Sequence, residues 1–94
     1  MDLLDIREKI ETIDKEILKL IAARTELAGT VLELKKADGR GITDKGQEQA
    51  VLNRATDYAT ELNLDIGSIK QIYEILIRMN IERQHELSGE GNLP

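Results

Sequence analysis

The chain has 94 residues, no cysteine, one histidine, no Phe or Trp, and a formal net charge of −5. That length accommodates one domain, and the missing cysteines exclude a disulfide framework or a thiolate zinc site. The acidic balance and the scarcity of aromatic residues, Tyr58 and Tyr73 alone, argue against nucleic acid as a partner.

The chain opens MDLLD, acidic and without an apolar stretch, so no secretory signal is expected and the cytoplasm is the default compartment. From about residue 3 to residue 36, Ile6, Ile10, Ile13, Ile17, Leu20, Leu27, Val31 and Leu34 recur at spacings of three and four. This period predicts one continuous helix. Asp2 is a candidate N-cap, with Asp5 in the first turn. The segment ADGRG (37–41) ends it, because two glycines beside Asp38 favour a turn. A second helix is predicted from about Asp44 to Leu62, capped by Thr43 or Asp44, with Val51, Leu52, Ala55, Ala59 and Leu62 as its apolar stripe. NLD (63–65) breaks the pattern, and Asp65 is the expected cap of a third helix. That helix carries Ile69, Ile72, Tyr73, Leu76 and Ile77 on one face and runs to about Leu87. The tail over 88–94 is expected to be disordered. No apolar run is free of charges for long enough to span a membrane. His85 has no second His or Cys to join it, so no metal site is expected. The reading is a single all-α domain over residues 1–94.

The first helix is too long for its own chain. Thirty-odd residues at 1.5 Å each extend ~50 Å. A compact chain of this size has a radius of gyration of ~12 Å and a diameter of ~30 Å. Two shorter helices cannot cover such a stripe, so a second copy is expected to cover the remainder, as an antiparallel, intertwined two-fold homodimer.

Polar residues also stand where apolar ones belong. Arg24, Ala28, Val31 and Lys35 follow one another at intervals of four, three and four. Glu48 precedes Val51, Leu52 and Ala55 in register, and Tyr73, Leu76, Asn80 and Gln84 share a stripe. Each intrusion alone has a bland explanation: a snorkelling cation, a dipole-favoured Glu, or a polar residue that fixes register. Five together, on three helices, are costly unless they share partners. Two cations, a carboxylate and two amides converging inside a bundle describe a pocket for a polar anion. Arg7 lies 17 residues before Arg24, ~25 Å along the axis. It cannot easily serve the same site within one chain, but in an antiparallel dimer the Arg7 of the partner subunit can approach it.

Taken together, LLDIREKI (3–10), IDKEILKLIAAR (13–24), ELA (26–28), Lys35, Asp44, QE (47–48), IYEILI (72–77) and Gln84 resemble the all-helical chorismate mutases of the AroQ class. The resemblance runs from residue 3 to about residue 87. It implies conversion of chorismate to prephenate, a Claisen rearrangement in phenylalanine and tyrosine synthesis, with no cofactor and no metal. It further implies a role for each matched residue. Arg24 and the Arg7 of the other subunit would bind the substrate carboxylates. Lys35 and Gln84 would donate to the ether oxygen as its bond breaks. Glu48 would accept from the ring hydroxyl, with Asp44 nearby. Two positions depart from the family pattern. Gln47 stands where an arginine is usual, removing a cation for which Lys45 or Arg40 are the candidate substitutes. Asn80 stands where the bacterial form has Ser, and can still donate to a carboxylate. The alternatives are an isochorismate-pyruvate lyase, which shares the fold and much of the site, and a weakly active or non-catalytic helical dimerisation module.

Overall fold

Each of the three helices begins at an aspartate that satisfies backbone N–H groups left without partners. The computed structural model describes residues 1–89. The first helix, α1, spans Leu3–Ala37. Asp2 accepts from the Asp5 N–H at 2.9 Å while the Asp5 carboxylate accepts from the Asp2 N–H at 3.2 Å. This reciprocal capping box fixes the start of the helix. Lys35 and Lys36 lie in the last turn, where they complement the helix dipole. Gly39, at φ +70°, reverses the chain.

Helix α2 spans Lys45–Glu61, and of the two candidate caps it is Asp44 that accepts from the Gln47 N–H, at 3.1 Å. Asn63 ends it in the left-handed region, at φ 57°, and the Leu64 N–H reaches back to the Ala59 carbonyl at 2.9 Å. Helix α3 spans Ile66–Ser88. Its cap, Asp65, accepts from both the backbone and the hydroxyl of Ser68, at 2.9 and 2.7 Å. Those bonds to the ionised form, the hydroxyl's first, hold the Asp65 carboxyl below the ordinary carboxylate range. Ser88 and Gly89, expected to belong to a disordered tail over 88–94, are instead part of the helix end. Ser88 is the last helical residue and Gly89, at φ 89°, is the left-handed cap. Residues 90–94 lie outside the described residues.

Helix α3 packs against both α1 and α2, which do not pack on each other. Where α3 crosses α1, Leu87 fills the space beside Gly29; a Cβ there would sit 3.3 Å from the Leu87 Cδ1. The molecule measures 54 × 28 × 23 Å, with a radius of gyration of 16.6 Å, well above the ~12 Å of a compact chain of this length. The excess length is α1.

The buried apolar residues are few: Ala28, Leu32, Val51, Ala55 and Ala59. All lie in the half of α1 that α3 reaches, or on α2. Leu32, outside the expected stripe, is buried, whereas Leu27, Val31 and Leu34 are exposed. The reason is angular. Helix α3 covers the side of α1 centred on Ala28, and Leu27 and Leu34 project about 100° and 120° away from it. Ile10 and Ile17 lie within about 20° of the Ala28 direction on the helical wheel, so the covered stripe continues into the N-terminal half of α1. There Ile6, Ile10, Ile13, Ile17 and Leu20 are all exposed. Leu62 and Ile72, expected on covered faces, are exposed as well. No helix among the described residues is long and apolar enough to cross a membrane.

Candidate active site

The misplaced polar residues converge. A cavity of about 280 Å³ opens where the C-terminal half of α1, the first turns of α2 and the C-terminal half of α3 meet. That volume is near the lower end for small-molecule sites. Arg24, Lys35, Asp44, Gln47, Glu48, Asn80 and Gln84 all line it. Their apolar neighbours, Ala28, Val31, Val51, Ile77 and Ile81, form the rest of its wall. Arg7 does not line it. It lies on the exposed N-terminal part of α1, remote from the cavity by helix geometry alone.

Gln84 is the one buried polar residue among those described, at 5 % exposure. Its Oε1 accepts from the Lys35 ammonium at 3.4 Å. Lys35 also donates to the Ile42 carbonyl, in the loop between α1 and α2. Two of the three ammonium protons are thereby engaged, and the third is left for a ligand. With its oxygen turned to Lys35, the Gln84 amide keeps its NH₂ as a donor. The pair presents two donors at one place in the pocket.

Arg24 is held differently. It donates to the Leu76 carbonyl at 3.3 Å and to the Asn80 Oδ1. The Asn80 NH₂ donates to the Thr25 hydroxyl at 3.4 Å, and Thr25 itself donates to the Ile21 carbonyl at 2.9 Å. This chain of bonds orients the Asn80 amide so that its oxygen meets the guanidinium. Arg24 also stands 6.0 Å from the Tyr73 ring centroid, the outer range of a cation–π contact. A guanidinium tied at one edge keeps its remaining N–H donors in a fixed fork, suited to a carboxylate.

Glu48 supplies the opposite polarity. Its Oε1 lies 3.7 Å from the Lys45 ammonium. Its Oε2 is buried without a hydrogen-bond partner among the described residues. An unpaired buried acceptor costs roughly 1–3 kcal/mol, and a ligand hydroxyl would remove that cost. Asp44 faces the same cavity while capping α2.

Lys45 and Arg40 are the cations expected to fill the gap left by Gln47. Neither Lys45 nor Arg40 lines the cavity; Arg54 does. Arg54 was legible in principle, being seven residues after Gln47 and so on the same face of α2. Thr25 and the Ile42 carbonyl were also missed. Thr25 reads as an ordinary helical residue, and a backbone carbonyl leaves no mark on the sequence.

Comparison with known proteins identifies the family. A family model described as chorismate mutase type II matches residues 6–85. The chain is 41 % identical over 88 residues to the chorismate mutase of Methanocaldococcus jannaschii, covering 94 % of this chain and 89 % of that protein. It is 32 % identical over 85 residues to the bifunctional chorismate mutase/prephenate dehydratase of Escherichia coli, and 30 % identical over 86 residues to that of Buchnera aphidicola from Schizaphis graminum. Of each bifunctional protein the match covers 22 %, against 90 % and 92 % of this chain. With a family model spanning nearly all of its three helices, the chain belongs to the chorismate mutase type II family.

Proposed function

We propose that this chain catalyses the rearrangement of chorismate to prephenate, as a two-fold homodimer in which each site takes Arg7 from the partner subunit. The observation that carries the reading is the Lys35–Gln84 pair at 3.4 Å, aimed into a cavity that also holds the unpartnered Glu48 oxygen. The reaction is unimolecular, so the site must hold a flexible dianion in its reactive conformer and stabilise charge that develops on the ether oxygen. Arg24, braced by Asn80, grips a carboxylate. The ring hydroxyl donates to Glu48 Oε2. As the ether bond breaks, the growing charge on oxygen meets the free Lys35 proton and the Gln84 NH₂. A million-fold acceleration corresponds to ~8 kcal/mol, and one preorganised donor supplies ~3–4 kcal/mol. Two such donors are adequate in number.

The dimer is supported by the exposed stripe of Ile6, Ile10, Ile13 and Ile17, which extends the α1 face that α3 covers. Burying one such side chain contributes ~1.5–3 kcal/mol. The five buried apolar residues of the single chain, three of them alanines, make a small core for a domain of this size.

Incubation with chorismate, followed by its ultraviolet absorbance and identification of the product, tests the activity. Prephenate is expected. Pyruvate would instead identify a lyase, and an unchanged substrate would leave a non-catalytic module. The donor role of Gln84 predicts a pH effect. A neutral amide donates at any pH, whereas a carboxyl donates only when protonated. The Gln84→Glu variant should therefore gain activity as pH falls, while the parent stays level. A level profile for the variant would contradict the donor role.

A further inference from the structure

Leaving Arg54 aside, the charges that this chain brings to its cavity cancel. Arg24 and Lys35 supply two positive charges, Asp44 and Glu48 two negative ones, and Gln47 none. A dianion entering such a lining gains little from its overall charge. Arg54 is the remaining charged residue of the lining. It follows Gln47 by two turns of α2, about 10 Å along the axis and on the same face. Val51, which lies between them, is buried against the same cavity. Among the described residues Arg54 makes no ion pair or hydrogen bond, whereas Lys45 is drawn to Glu48 at 3.7 Å. Arg54 is also exposed, so it keeps its charge at the mouth of the cavity without a desolvation penalty. A planar guanidinium in that position suits a carboxylate.

We propose that Arg54 is a substrate-binding residue of this pocket, pairing with the carboxylate of the bound dianion that Gln47 leaves without a cation. The proposal rests on the assignment of the cavity as the chorismate site. A carboxylate's charge changes little between ground state and transition state, so Arg54 acts on binding, through KM, rather than on kcat. It is a substrate contact made by a helix wall, two turns beyond the first-turn residues of α2.

The test compares the parent protein with Arg54→Gln, Arg54→Lys and the double variant Gln47→Arg/Arg54→Gln, by steady-state kinetics and by equilibrium titration with chorismate. Glutamine is a good helix former at an exposed position, so α2 should persist. Arg54→Gln is expected to raise KM roughly tenfold with kcat within about twofold. Arg54→Lys should recover part of the loss, and the double variant most of it. An unchanged KM in Arg54→Gln, a loss confined to kcat, or no recovery in either restoring variant overturns the role. A parent protein that binds chorismate without converting it defeats the activity assignment alone. Arg54 is then judged on the titration, where about tenfold weaker binding by Arg54→Gln upholds the role and equal binding overturns it. A parent that does not bind chorismate overturns both.

Discussion

Replacing Lys35 by alanine should lower kcat by roughly 10²- to 10³-fold, the loss typical of removing one preorganised donor from a developing oxyanion. The ammonium is placed by two fixed acceptors, the Ile42 carbonyl and Gln84 Oε1. Its third proton is then directed rather than free to wander. The alanine variant loses that donor, and it also frees the buried Gln84 amide to turn, since its oxygen no longer has a cation to meet. Both changes weaken stabilisation of the ether oxygen, so the loss should fall on kcat more than on KM. The helical signal and molecular mass should be unchanged, because Lys35 lies in the last turn of α1 and alanine is the best helix former. Near-parental kcat in a folded Lys35→Ala protein would remove Lys35 from the mechanism.

Mixing two inactive variants should restore activity. Arg7→Ala and Lys35→Ala proteins, each nearly inactive, are unfolded together and refolded so that subunits pair at random. If each site combines Lys35 of one subunit with Arg7 of the other, the mixed dimer holds one intact site and one doubly damaged site. Random pairing makes half of the dimers mixed, so about a quarter of parental activity should return. If Arg7 instead serves the site of its own chain, no mixed dimer contains an intact site and nothing returns. The expectation follows from helix geometry. Arg7 lies ~25 Å from Arg24 along a rigid helix, and it does not line the cavity of its own chain.

The Arg54 proposal and these two experiments probe different energies. Lys35 is asked to stabilise charge that appears during the reaction. Arg7, Arg24 and Arg54 are asked to hold charge that is present throughout. Asn80 belongs with the second group by another route, since its oxygen and amide nitrogen tie Arg24 to Thr25 and thence to the backbone of α1.

By itself the sequence determined the helices and the polar set. The capping aspartates Asp2, Asp44 and Asp65 and the glycines at 39 and 89 are local signals, satisfied within a few residues of themselves. Helical ends could therefore be read to within a residue or two. Arg24, Lys35, Glu48, Asn80 and Gln84 stood out because helical periodicity assigns each to an apolar stripe, and periodicity is also local. The length of α1 was legible too, and with it the surplus of apolar surface that one chain cannot cover. Only the tertiary structure decided how the helices are rotated against one another. That rotation buries Leu32 and exposes Leu27 and Leu34, turns the Gln84 oxygen to Lys35, ties Asn80 to both Arg24 and Thr25, and brings Arg54 rather than Lys45 to the cavity. Such facts depend on angles between elements far apart in the chain, set by the summed packing of many side chains, and no local pattern encodes them.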